Sequence, residues 1–265
     1  MTDIIPPVED VLSPKSEVLP ILYQDDQVVV VDKPADLLVH KSPVDPKETR
    51  YAMRILRDQL KQWVYPVHRL DKPTSGALVF ALNDEIARAL SAQFESRQVK
   101  KTYLALVRGW PPLGGLIDHH IREMAMFKNE QGKFEKFAAK ESLTLYHRLE
   151  KVELDVPVDR YPKSRYALLA CYPQTGRQHQ IRRHLKHLAH PIIGDVRYGK
   201  GNHNRFFEEA YGCSRLLLHA SRVSFIHPVS GERVSVTAPL PQAFQQLAEA
   251  FCWRLPDWVA AQFPG

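Results

Sequence analysis

Runs of apolar residues at periods of two and of 3.6 divide the chain into a mixed series of strands and helices. Gln27 to Asp32 is Val-rich and predicts a buried strand; Asp32, Lys33 and Pro34 then turn the chain, and Leu37 to His40 reads as a short extended piece. Between Tyr51 and Trp63, the side chains Met53, Leu56, Leu60 and Trp63 fall on one helical face. Ala77 to Leu82 predicts a strand. Asn83 is a good N-cap with Asp84 and Glu85 behind it, opening a helix that turns Ile86, Ala89, Leu90 and Phe94 inward. Lys100 to Val107 predicts the next strand.

Trp110 to Lys140 breaks the pattern. Pro111, Pro112, Gly114, Gly115 and the polar stretch Asn129 to Gly132 predict loops with limited strand. Ser142 to Leu154 and Ser164 to Tyr172 alternate as strands, and Ile181 to His190 reads as a helix stopped by Pro191. Arg215 to Ile226 and Glu232 to Thr237 form a hairpin pattern around Pro228 to Gly231. Pro241 opens a last helix that buries Phe244, Leu247 and Phe251. Strands and helices mix without strict alternation, which predicts an α+β fold with a mixed, mainly antiparallel central sheet flanked by helices. Prolines and weak periodicity make residues 1–18 a loose extension, and no linker divides residues 19–265, read as one catalytic domain.

Composition narrows the class. The chain has 265 residues, 44% hydrophobic and 25% charged, as in a folded soluble protein. Cys171, Cys213 and Cys252 are odd in number and widely spaced, which suits a reducing, cytoplasmic setting and buried thiols at Cys171 and Cys213. No apolar run approaches the roughly 18 residues of a membrane span. Lys and Arg number 36 against 30 Asp and Glu, a net charge of +6. That excess is concentrated: Arg97, Lys100, Lys101 and Arg108 form one acid-free run, and Arg177, Arg182, Arg183 and Lys186 another. The two runs predict where a polyanion lies.

The loop His68-Arg69-Leu70-Asp71-Lys72-Pro73-Thr74-Ser75-Gly76 places one carboxylate among His68, Arg69 and Lys72, whose cationic members favour its ionised form. A surface turn with a local ion pair is the plain alternative. His179, His184, His187 and His190 invite a metal, but the cations among them and the lack of a carboxylate before Asp195 argue against one. In that helix Ile181, His184, Leu185 and Leu188 are expected to face inward. No phosphate-loop or dinucleotide-binding glycine pattern occurs.

The segment His68 to Gly76 resembles the catalytic-loop motif of the RluA family of RNA pseudouridine synthases. Lys101 to Gly109, with its K-x-Y pattern, and Thr175 to His184, reading TGRQHQIRRH, resemble two further motifs of that family in the same order. His190 to Asp195 and Arg215 to Ala220 agree. The resemblance implies a pseudouridine synthase fold without a separate S4-like module and an RNA cleft across the sheet. It also implies isomerisation of uridine without metal or organic cofactor. Carried over, Asp71 is the nucleophile or base, Arg182 its partner and Tyr103 the ring stacked on the target uracil. An ordinary core Tyr remains the alternative, since Tyr103, Ala105 and Val107 share one strand face. Arg69 fills the gap left by the flipped base, with His68, Ile181, Lys101 and Arg177 around the substrate. Segments such as YPVHRLDKPTSGAL and RYPKSRYALL are most similar to members acting on tRNA, which implies uridine 65; a monomer without an obligatory protein partner is expected. An rRNA substrate and a noncatalytic RNA-binding protein are the alternatives.

Overall fold

The computed structural model describes residues 17–41, 48–128 and 134–260. Residues 1–16 of the expected extension and Asn129 to Gly132 lie outside them. The elements in chain order are β1 (Ile21–Gln24), β2 (Val28–Lys33), α1 (Ala52–Leu60), β3 (Tyr65–Pro66), β4 (Ser75–Ala81), α2 (Asp84–Glu95), β5 (Lys100–Arg108) and β6 (Gly114–Asp118). There follow β7 (Ile121–Lys128), β8 (Phe134–Lys140), β9 (Leu143–Leu154), β10 (Ser164–Pro173), α3 (Gln180–His187), α4 (Gly201–Tyr211), β11 (Leu218–Ile226), β12 (Arg233–Thr237), α5 (Gln242–Ala250) and α6 (Asp257–Ala260).

One sheet runs β1-β2-β4-β11-β5-β10-β9-β6, with β3 beside β4 and β12 beside β11; β7 and β8 pair separately as a hairpin. The fold is α+β and mainly antiparallel, and β4 with β11 is the parallel pair at its centre. Val28 and Val30 of β2 enter one apolar cluster while Val29 and Val31 enter another, so β2 is covered on both faces and reads as an unbroken apolar run. All seven residues of β4 are buried for the same reason.

The parallel pairing sets Gly76 against Ala220. Gly76 has φ +113°, and a Cβ there would lie 2.3 Å from the Ala220 carbonyl oxygen. Only glycine permits this approach, which brings the loop before β4 to the sheet's middle.

Several expectations change. Residues 110–140 hold three strands rather than mostly loop. β6 is an edge strand, and Phe137 to Lys140 are all exposed, so no apolar face marks either element. β1 is a largely exposed edge strand whose residues do not alternate. Helix α4 buries His203 and Phe207 one turn apart, and the polar His hides the apolar stripe. In the expected extended piece, Leu38 makes a single bridge to Tyr51. Ala89 faces solvent, and Trp63 lies beyond α1 because Lys61 turns left-handed at φ 55°. Helix α3 ends at His187, and Ala189 turns left-handed before Pro191. Cys171 and Cys213 are buried free thiols, and burial pushes Cys171 up to about 12.

Candidate active site

Three elements meet at one cavity of about 920 Å³: the loop before β4, strand β5 and the start of α3. Asp71, Arg69, Lys101, Tyr103, Arg177 and Ile181 all contribute to its wall, as do His68 and Arg182. The Asp71 turn is closed by the Thr74 N–H donating to the Asp71 carbonyl at 3.0 Å. Lys33, fully buried, braces it from beneath: its ammonium donates to the carbonyls of Pro34, Leu37 and Lys72 at 2.8, 2.9 and 3.1 Å. Burial first, then Arg215, lowers the Lys33 pKa to about 7. The sequence pattern of Lys33 reads only as a turn; its role depends on the loop that folds over it.

Arg182 reaches Asp71 with Nη1 at 3.1 Å from Oδ2. Its other edge forms a bidentate pair with Asp195, Nε to Oδ2 at 2.8 Å and Nη2 to Oδ1 at 2.9 Å. Burial opposes the guanidinium charge, and the carboxylates of Asp195 and Asp71 outweigh it, so the pKa is raised. Asp195 is held below the usual carboxylate range although burial pushes the other way. The Arg182 hydrogen bonds and the N–H groups of Tyr198 and Arg197 prevail. The Tyr198 ring lies 5.2 Å from the Arg182 guanidinium. Asp195 beneath Arg182 and Glu95 on the cavity wall are further acids beside the carboxylate of the Asp71 loop. The turn after β5's neighbour Ile192 folds Asp195 back beneath Arg182.

The polar letters around Arg182 are largely structural. The Gln180 amide donates to the Leu143 carbonyl and Thr144 Oγ1, both at 2.9 Å. Its carbonyl accepts from Thr175 Oγ1 at 2.6 Å and the Arg177 N–H at 3.0 Å. Every hydrogen-bonding position of the buried amide is used, which fixes the start of α3 against β9. His184 pairs with Thr144 Oγ1 at 2.9 Å and the His119 carbonyl at 3.0 Å. His179, left-handed at φ 54°, turns its Nε2 to 3.8 Å from Asp71 and its Nδ1 to 2.9 Å from the Tyr198 hydroxyl. His179 and Tyr198 are thus site residues that spacing alone does not mark.

Tyr103 is partly buried beside Asp71; burial, then that charge, raises its phenol pKa, so the hydroxyl keeps its proton at neutral pH. His68 stacks on Phe94 at 4.5 Å and accepts from the Val79 N–H at 3.1 Å. Burial, then Lys101, lowers it to about 3, so it stays neutral and joins the loop to β4. Arg69 is exposed and makes no hydrogen bond among the described residues. Arg177 donates to the Glu141 carbonyl at 3.2 Å.

A sequence model of the RNA pseudouridylate synthase family matches residues 27–187. The chain belongs to this family. Pseudouridylate synthases are also its relatives by overall similarity. It is 46% identical over 241 residues to tRNA pseudouridine synthase C of Haemophilus ducreyi, covering 91% of this chain and 98% of the relative. It is 45% identical over 236 residues to tRNA pseudouridine synthase C of Vibrio vulnificus, covering 89% and 96%. The solved structure of human RNA Pseudouridylate Synthase Domain Containing 4 matches 89% of this chain and 94% of its own, with TM-score 0.66 and 27% identity. In this pseudouridylate synthase, Asp71, Tyr103 and Arg182 come from the three segments that meet at the cavity.

Proposed function

We propose that residues 19–265 form the catalytic unit of an RluA-type synthase that isomerises uridine 65 of tRNA. Asp71 acts at the ribose of the target, by attack at C1′ or by removing a ribose proton. Either route breaks the N1–C1′ bond; the detached uracil turns and rejoins through C5, the C5 proton then leaves and N1 ends protonated. The observation that carries this reading is the Asp71 carboxylate, held by Arg182 in a cavity otherwise rich in cations. A noncatalytic RNA binder gains nothing from it, because a carboxylate repels phosphate. Arg182 compensates the charge of Asp71 when RNA covers the cavity, and a guanidinium cannot lose its proton to do so. Tyr103 gives the uracil a face to stack on without fixing it by hydrogen bonds, which leaves the base free to turn. Arg69, exposed at the rim, fills the stack the flipped uridine leaves. The likeness to tRNA pseudouridine synthase C over most of both chains supports tRNA as the substrate; position 65 rests on the resemblance of the motif segments.

Carbodiimide mapping of total RNA tests the substrate. Depleting the protein should remove pseudouridine from position 65 of tRNA, with wild type restoring it and Asp71→Ala not. Loss at an rRNA site instead would move the assignment to rRNA.

Lys101 supplies a phosphate contact in this reading. It is partly buried in the cavity wall, pairs with no carboxylate among the described residues, and has its pKa lowered by burial to about 8. The ammonium is therefore lost as pH rises through about 8. RNA affinity should fall over that interval, and Lys101→Met should flatten the dependence. Fold stability should move the opposite way, rising with pH above about 8, because the unfolded chain then binds the extra proton. A pH profile of RNA affinity that Lys101→Met leaves unchanged would remove Lys101 from the phosphate site.

A further inference from the structure

We infer that Phe137 on β8 is a stacking platform for an unpaired base next to the target uridine. This rests on the reading of the cavity as the synthase site. Phe137 is 46% exposed and belongs to none of the three apolar clusters, yet its residue forms part of the wall of the cavity that holds Asp71. Exposed apolar side chains are ordinary when they stand alone on a surface. This one stands in a cleft with Arg69, Arg97, Lys101 and Arg177, where an aromatic face among cations matches a nucleic-acid strand, base on ring and phosphate on cation.

The hairpin is fixed relative to the chemistry. Its first strand is tied to α3, the helix of Arg182, by Arg183 donating to the Arg122 carbonyl at 2.9 Å. Just before that strand, His119 gives its carbonyl to His184 at 3.0 Å and stacks its ring on His187 at 3.8 Å. These ties hold the root of the hairpin against α3, beside the cavity whose wall Phe137 joins. Tyr103 lies beside Asp71 and takes the target uracil, so Phe137, on a separate element, takes a neighbour. A base paired inside a helix has both faces covered by its own stack and cannot use the ring. The substrate class that fits is an RNA opened at more than the flipped nucleotide.

Fluorescence anisotropy with a short single-stranded oligouridylate and a long RNA duplex, in which end pairs are a small fraction of the binding sites, tests this. Phe137→Ala should weaken single-strand binding about 5- to 150-fold, the range for one base stacked on an aromatic ring, and leave duplex binding nearly unchanged. Phe137→Trp should bind near wild type, and Phe137→Leu, which keeps apolar bulk without a π face, should fall with alanine. Wild-type single-strand affinity in Phe137→Ala or Phe137→Leu would overturn the inference. So would equal weakening for strand and duplex, which would mean a displaced hairpin. Pseudouridine formation by Asp71→Ala is measured alongside. Activity there would refute the site itself, whereas an inactive Asp71→Ala with an indifferent Phe137→Ala refutes the platform alone.

Discussion

Asp71→Ala should lower pseudouridine formation by about 10²- to 10⁴-fold or more, since one positioned acid, base or nucleophile contributes at least that much to a step. RNA binding should survive, because the substitution removes a negative charge from a cavity that meets phosphate. Stability should change little. Asp71 keeps part of its surface in solvent, with its side chain 19% exposed, and Arg182 retains both hydrogen bonds to Asp195 when it goes. Asp71→Asn should be equally inactive, since the amide keeps the shape but neither attacks nor takes a proton. A tritium-release or carbodiimide assay on the purified protein reads the rate, and filter binding reads the affinity. Turnover near wild type in either variant would sink the mechanism. Loss of both turnover and RNA binding would point to a damaged cleft instead.

Asp195→Ala has the second large effect, and it falls on the fold as well as on the rate. The Asp195 side chain is fully buried and takes two of the three hydrogen bonds that Arg182 makes to carboxylates. Removing it leaves a buried guanidinium short of a partner and the N–H groups of Arg197 and Tyr198 without their acceptor. Breaking one member of a buried pair costs about 3–5 kcal/mol, or roughly 6–20 °C in Tm for a chain of this size. Arg182 is then free to turn, so kcat should fall while KM moves less, as expected when a positioning residue acts through another group. Asp195→Asn keeps the shape and one acceptor, and should recover part of the stability. An unchanged melting curve in Asp195→Ala would show that Arg182 does not depend on it.

Much of the molecule is legible before any coordinates. The Val run of β2, the apolar β4, the Asn83-capped α2 and the helix of Arg182 follow from local periodicity, because each buries a stripe or a face that its own residues define. Less legible are β6 and β8. An edge strand and a hairpin with exposed residues on successive positions have no apolar face for periodicity to detect. The same lack of pattern hides Phe137, which reads as one more Phe until the fold places it in the cleft.

By itself the sequence marked the segments proposed to carry the chemistry and the residues within them. Asp71, Tyr103 and Arg182 stand in motifs whose letters are local, and the cation runs that flank two of them need no fold to be counted. Tertiary structure decided the pairing. Asp71 and Arg182 lie 111 positions apart and meet at 3.1 Å only because Gly76 lets β4 lie against β11 while Gln180 locks α3 onto β9. Asp195 ends a segment the sequence does mark, but only the fold turns it onto Arg182, and Lys33 supports the loop from a strand end that reads as surface. A hydrophobic period records what one element buries. An ion pair or a braced carbonyl depends on the register between distant elements, which only the packed sheet fixes.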